Sequence, residues 1–379
     1  MTNQLKVAFD AKRVFQNFTG LGNFSRTLLQ DLAKSNAPFD LQLFAPKKID
    51  NNRTAPFLKP PFKTFFPNTI FRSAWRSRGI VKDLIKANVD IYHGLSHELP
   101  FGIEKSGIAS VVSIHDLIIK ADKKQFRWLD RKIYNAKFKS SCERADKIVA
   151  ISQSTKNDIL KYYNVPAEKI QVIYQTCHEQ FKKEVNQKEV TRYLESNNLP
   201  SEYLLYVGSA IPRKNLFRLV KSLNQLPKEL QFPLFIVAGK NKYRDRVNEY
   251  AVKKKIDNLL YFMDDLEFAD LPKLYRGAIA TLYPSHYEGF GLPVIESLFC
   301  HTPVLTGNNS SLTEAGGPGA LLVNSRDTEN ITLGITQLLE DKALRKSLAT
   351  AGYQHVQQFQ SAPIAKQWIS LYQTLAKDK

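Results

Sequence analysis

Short apolar runs alternate along this chain with longer stretches whose apolar positions recur every three or four residues. The runs at 7–9, 41–44, 90–92, 109–114, 147–151 and 171–174 read as strands in the first half. Those at 203–207, 234–238, 259–262, 278–283, 303–305 and 320–323 read as strands in the second. Few of them alternate apolar with polar positions, the pattern of parallel strands covered by helices on both faces. Leu21, Phe24, Leu28 and Leu32 fall on one face of a helix after the first run. The alternation of strands and helices predicts an α/β chain with two doubly wound sheets. A polar stretch, Glu195-Ser-Asn-Asn-Leu-Pro200, marks the boundary. It sets domains at 1–195 and 196–355, followed by a helical tail, 356–379, expected to pack back towards the N-terminal domain. Residues 343–375 read as helix with a break near Pro363.

Length agrees, since 379 residues exceed what one core serves. No apolar run approaches the ~18 residues of a membrane-spanning helix, and the first residues carry no secretion signal. Cys142, Cys177 and Cys300 stand singly, as free thiols of a reducing, cytoplasmic compartment do. Charge changes the picture more. Lys plus Arg number 54 against 36 acids, a net of +18. Residues 1–200 hold 33 bases and 19 acids, so the first half carries most of the excess. Such a surface favours anionic partners: nucleic acid, phosphorylated substrates or an acidic leaflet. Between 51 and 86 stand eight bases and one acid among several aromatics, with Arg78, Lys82 and Lys86 at four-residue intervals around Trp75. A basic helix with aromatic flanks suits an anionic bilayer, and equally a solvated face over a core. Helix-turn-helix, zinc-finger, RNP and KH signatures are absent, which disfavours nucleic acid.

Candidate chemistry concentrates in Glu288-Gly-Phe-Gly-Leu-Pro-Val-Ile-Glu296. Gly289 and Gly291 allow close approach of backbone to a ligand. Pro293 marks a helix start. The amides of Phe290, Gly291 and Leu292 with that helix terminus would form a diphosphate site. Glu288 and Glu296 can each accept paired hydroxyl hydrogen bonds, as a ligand with sugars at both ends requires. Two glycines before a helix also serve as a mere tight turn. Thr19-Gly20-Leu-Gly22 after the first strand is a second candidate loop, and His115 follows the strand at 109–114, where α/β sheets place ligand residues. A lone histidine is as readily structural. No His/Cys/Asp cluster has zinc spacing.

The Glu-x7-Glu stretch resembles the signature of retaining glycosyltransferases of family 4. So do Leu271-Pro-Lys-Leu-Tyr-Arg-Gly-Ala, Thr302-Pro-Val, Ser311-Leu-Thr-Glu314 and Tyr206-Val-Gly-Ser-Ala-Ile-Pro-Arg-Lys-Asn215. The resemblance is strong over 203–325 and collinear, though thinner, before it. It implies the GT-B fold, two Rossmann-like domains facing across a cleft, and a nucleotide-sugar donor bound without a metal or other cofactor. By this resemblance Lys214 neutralises the donor diphosphate, Glu296 holds the ribose, and Glu288 and the Phe290–Leu292 amides meet the transferred sugar. Leu266 falls near the base. Gly20 and Gly22 belong to a loop between donor and acceptor, and His115 lies near the sugar. His93, His97 and His286 are candidates to line the cleft. The chain departs from the family where Ser209 replaces an arginine, leaving Arg213 to supply the second charge, and where His301 and Asp264 replace glycines.

The expectation is therefore a retaining hexosyltransferase, mannose-type or similar. It would act on a glycan or lipid-linked acceptor in cell-surface polysaccharide synthesis, in the cytoplasm or on the inner face of the membrane. The alternatives are a sugar-nucleotide epimerase, disfavoured by Glu288 and Glu296, an inactive partner protein of the same fold, disfavoured by the intact Lys214 and both glutamates, and a nucleic-acid-binding protein that would use the +18 charge.

Overall fold

The computed structural model describes residues 4–35, 37–122 and 126–377. The chain divides into two units, Met1–Thr176 with Phe359–Lys379, and Cys177–Gln358.

In the first unit seven strands form one parallel sheet: β1 (Leu5–Asp10), β2 (Phe39–Phe44), β3 (Lys63–Phe65), β4 (Ile91–Gly94), β5 (Ala109–Ile114), β6 (Lys147–Ala150) and β7 (Ile170–Val172). Their order is β3-β2-β1-β4-β5-β6-β7. Val7 pairs with Leu41 on one side and Ile91 on the other. Successive β1 residues enter opposite cores. Val7 and Phe9 pack with Leu28, Leu29 and Leu32 of the helix Gly20–Lys34, while Ala8 packs with Ile80, Leu84 and Cys142. Both faces are covered, hence the continuous apolar runs. β3 escapes the apolar pattern because it is an edge strand with Lys63 and Phe65 exposed, paired only through Gln42, Leu43 and Phe44.

The second unit holds a six-stranded parallel sheet: β8 (Leu204–Val207), β9 (Leu234–Val237), β10 (Leu260–Phe262), β11 (Ala280–Tyr283), β12 (Val304–Gly307) and β13 (Ala320–Val323), ordered β10-β9-β8-β11-β12-β13. Both sheets are thus Rossmann-like, as expected. Strand order reverses beside β1 and β4 in the first and beside β8 and β11 in the second, the places where such sheets bind ligands.

The division falls at 176/177, ahead of the polar stretch at 195–200. Residues 177–195 belong to the second unit because the helix Gln187–Ser196 buries Val190 and Leu194 there. Val190 packs so close to Gly277 that a Cβ on that glycine would lie 2.7 Å from it. In the tail, the helix is interrupted near Pro363, as expected. The interruption is at Gln357–Phe359, and Pro363 stands in the first turn of Ser361–Lys377, where its missing N–H has no intrahelical role. That last helix places Ile364, Trp368, Leu371 and Tyr372 in the core of the first unit.

Candidate active site

In the second unit, the chain leaving β8 turns at Gly208 and runs through a short helical turn, Pro212–Lys214. A side chain at Gly208 would crowd Lys214 and the Tyr283 ring at 3.2–3.3 Å, so the glycine leaves room for the lysine. Asn215, in the left-handed region at φ 65°, ties this loop to two others by donating to Pro284 O at 3.0 Å and Ser325 O at 2.7 Å.

On these supports Arg213, Lys214 and Glu288 come together. Lys214 Nζ donates to Tyr283 Oη at 2.8 Å, and Tyr283 donates to Glu288 Oε1 at 2.8 Å. Ser285 donates to the same oxygen at 2.9 Å. Arg213 pairs with Glu288 Oε2 at 2.7 Å, and Lys214 Nζ lies 3.9 Å from Oε1. Burial works to raise the Glu288 carboxyl, but the charges of Lys214 and Arg213 and the hydrogen bonds of Arg213 and Tyr283 hold it below its ordinary value. Lys214 is lowered by burial, with Glu288 opposing. Two cations share one carboxylate, which leaves positive charge at the switch point of the sheet.

The loop then turns at Gly291, φ 127°, into the helix Leu292–Phe299, with Pro293 in its first turn. Phe290 is buried, its carbonyl accepting from Ser311 Oγ at 2.8 Å. Glu296 is half-buried on this helix and accepts from Tyr275 Oη at 2.9 Å. Burial pushes its carboxyl up to about 7, against the Tyr275 hydrogen bond and the Lys214 charge. Leu266 is half-buried on the turn after β10, two strands from β8. There Arg244 stacks on Phe262 at 4.0 Å and pairs with Asp264. His301 adopts φ 58°, the conformation that a glycine gives freely, and its ring stacks on Tyr353 at 3.8 Å.

In the first unit, Gly20 and Gly22 open the helix Gly20–Lys34 and differ in kind. A Cβ at Gly22 would lie 1.7 Å from Asn17 O, whereas nothing lies within 4 Å of one at Gly20. Asn17 Oδ1 already accepts from the amides of Thr19 and Gly22, each at 3.0 Å. Gly22 is therefore a packing glycine and Gly20 the open one. His115 is buried after β5. Its Nε2 bonds Leu95 O at 2.8 Å and its Nδ1 meets Gln175 Nε2 at 3.0 Å. Burial, with His97 adding, drives its pKa down to about 3, so the ring is neutral. His93 is a core residue, bonded to Tyr372 Oη and Ser113 Oγ at 2.8 Å each. His286 bonds Ser325 Oγ at 3.0 Å.

Trp75 is not a surface anchor: it is buried, and its Nε1 donates to Asp83 Oδ2 at 2.6 Å. Arg78 stands on a π-helical turn, Trp75–Gly79, and stacks over Phe101 at 5.6 Å; Lys82 and Lys86 follow on the helix Ile80–Lys86, and all three are exposed. The sequence reading also missed Tyr283, Ser285 and Tyr275, whose hydroxyls hold the two glutamates. Among the described residues, no group of three or more His, Cys, Asp or Glu could hold a metal ion.

Two parallel Rossmann-like sheets with cations and glutamates gathered at a switch point define an α/β protein with a candidate anion site, and comparison with known proteins supplies the family. The description "Glycosyltransferase Family 4" matches residues 18–177 and "Glycosyl transferases group 1" matches 188–355. The chain belongs to this glycosyltransferase family. It is 27% identical to O-antigen chain mannosyltransferase B of Escherichia coli over 98% of this chain and all of that one. It is 30% identical to O-antigen chain mannosyltransferase RfbU of Salmonella typhimurium over 58% of each. Among solved structures, sucrose-phosphate synthase from Thermosynechococcus elongatus superposes with a TM-score of 0.79 at 21% identity, covering 99% of this chain and 100% of that one. Anabaena Alr3699/HepE, solved with UDP and glucose, gives 0.76 at 16%, over 98% and 100%. These likenesses show the GT-B fold.

Proposed function

We propose that this glycosyltransferase moves a hexose, mannose-type, from a nucleotide-diphosphate sugar to a glycan or lipid-linked acceptor, with retention, in cell-surface polysaccharide synthesis. The observation that carries the reading is the cluster of Arg213, Lys214 and Glu288. Glycosyl transfer must stabilise a departing diphosphate, and two preorganised cations facing one carboxylate supply that charge where it develops. Glu296, on the next helix, accepts ribose hydroxyls, and Glu288 a hydroxyl of the sugar. The leaving phosphate oxygen takes the acceptor proton on the face it departs from, which needs no enzyme nucleophile. The mannosyltransferase names of the relatives support the donor class and the polysaccharide context.

The test is a screen of UDP-, GDP- and dTDP-hexoses for thermal stabilisation and turnover, with NMR of the product anomer. An inverted product would refute retention, and no turnover of any donor would refute the reading. Turnover abolished by EDTA and restored by Mg²⁺ or Mn²⁺ would refute metal independence.

Contact with an anionic membrane belongs to the same proposal, and a second helix joins the exposed Arg78, Lys82 and Lys86 as a candidate surface. No residue of the helix Trp128–Arg144 is buried before Phe138. Trp128, Leu129 and Ile133 are 63%, 54% and 46% exposed, with Lys132, Lys137 and Lys139 exposed among them. Apolar side chains interleaved with lysines suit the headgroup region of an acidic leaflet. No described helix is long and apolar enough to cross a membrane.

A further inference from the structure

In the first unit, the loop after β2 meets the turn that leads into the helix Gly20–Lys34. A cavity of about 430 Å³, open to solvent, is lined there by Phe18, Asn51, Asn52 and Arg53, all four exposed. The loop is held in shape. Asn51 Oδ1 accepts from the amides of Arg53 at 3.0 Å and Thr54 at 3.2 Å, and the buried Thr54 Oγ1 accepts from the Asn51 amide at 3.0 Å. With its side-chain oxygen spent inside the loop, Asn51 brings an NH₂ donor to the cavity it lines.

Arg53 donates to Phe18 O at 3.5 Å and to Asn23 Oδ1 at 3.4 Å, and its guanidinium lies 5.7 Å from the Phe18 ring centre. A second guanidinium stands close by. Arg26, 6% exposed, donates to the same Asn23 oxygen at 2.7 Å and to the carbonyls of Val14 and Asn17 at 2.9 and 2.8 Å, all neutral acceptors. Burial, with the Arg53 charge adding, pushes Arg26 down to about 10. Two like charges gathered on one amide oxygen repel, and an anion in the cavity would relieve them. Among the described residues no carboxylate lines the space; Asp50, the adjacent acid, pairs with Lys48 at 3.7 Å. Donors and positive charge select an oxyanion, and the guanidinium fork matches phosphate oxygens two at a time.

We propose that this cavity binds a phosphoryl group of the acceptor, held by Arg53, Asn51 and Asn52, with Arg26 reinforcing the charge. Assigning the phosphoryl group to the acceptor rests on the glycosyl-transfer reading above; the anion site itself does not.

The test uses full-length chains and two probes, inorganic pyrophosphate and farnesyl diphosphate, titrated by calorimetry. Lys214→Ala serves as the background, so that the cations of the second unit contribute least. In it Arg53→Glu and, separately, Asn52→Asp should each weaken pyrophosphate binding by about tenfold or more. Arg53→Lys, which keeps the charge and loses the fork, should cost less. Both positions are exposed, so melting temperatures should hold. Farnesyl diphosphate binding tighter than pyrophosphate supports the site with a lipid-linked source, and equal binding supports it with a soluble phosphate ester. Pyrophosphate that fails to bind the background chain, or binds both variants equally well, overturns the site. With Lys214 intact, Arg53→Glu should leave the affinity for free UDP and GDP unchanged; a tenfold loss there would put Arg53 at the donor and overturn the acceptor assignment. A wild type that turns over no nucleotide hexose, while pyrophosphate binding still depends on Arg53, would sink the glycosyl-transfer reading and leave the anion site standing.

Discussion

Replacing Glu296 by glutamine should change how stability depends on pH. In the folded chain the carboxyl titrates near 7, against an ordinary value of 4.5, because burial disfavours its charged form. Between those values the folded state holds a proton that the unfolded state has released. Stability therefore falls as pH rises through that window, and this group's contribution is fully lost above about 7. Each pH unit of that interval is worth about 1.4 kcal/mol. Screening by water at this half-exposed position leaves roughly 1–2 kcal/mol of the total. For a unit of about 180 residues that corresponds to about 2–8 °C in melting temperature. The substituted glutamine has no proton to lose and can still accept from Tyr275. Melting curves of wild type and Glu296→Gln should coincide near pH 4.5 and separate towards pH 8, the wild type falling. Parallel curves across that range would refute the assignment of a raised pKa to Glu296.

Lys214→Ala should lower kcat/KM by about 10–150-fold, the ~1.5–3 kcal/mol of a charge-assisted contact, without unfolding, because Glu288 keeps Arg213, Tyr283 and Ser285. Unchanged kcat/KM would contradict a phosphate-binding role. Gly22→Ala should destabilise by roughly 1–3 kcal/mol or more through its clash with Asn17, whereas Gly20→Ala should leave the melting temperature within a few degrees. Equal effects in thermal melts would contradict the division of roles. Sedimentation with acidic vesicles at low salt should carry down wild type and lose Trp128→Ser/Ile133→Ser, while neutralising Lys82 and Lys86 should matter less. If wild type stays in the supernatant, the exposed face of Trp128–Arg144 has another purpose.

Twelve of the strands were legible because each carries a short apolar run. The edge strand at Lys63–Phe65 was not, since its two exposed side chains flank a single threonine and leave no apolar run. Lys214, Glu288 and Glu296 could be singled out by spacing and resemblance. Their supports could not, because Tyr283 reads as a strand end and Tyr275 as a helix residue until the fold turns their hydroxyls onto carboxylates. His301 shows the converse. A departure from glycine in sequence is accommodated by stacking on Tyr353, a partner 52 residues away. Trp75 misled because an aromatic among bases reads as a surface anchor, and only the Asp83 contact reveals it as core.

The last helix has a consequence for how the chain comes into being. Trp368 and Tyr372 are wholly buried in the first unit, and Tyr372 hydrogen-bonds His93. Yet 182 residues of the second unit intervene in the chain between Thr176 and Phe359. A ribosome thus delivers most of the first unit long before the piece that closes its core. Until then the nascent segment presents an open apolar gap to the cell, a target for chaperones and a risk for self-association. A stop codon a few dozen residues early would spare every candidate site residue and still leave the first half of the enzyme unfinished.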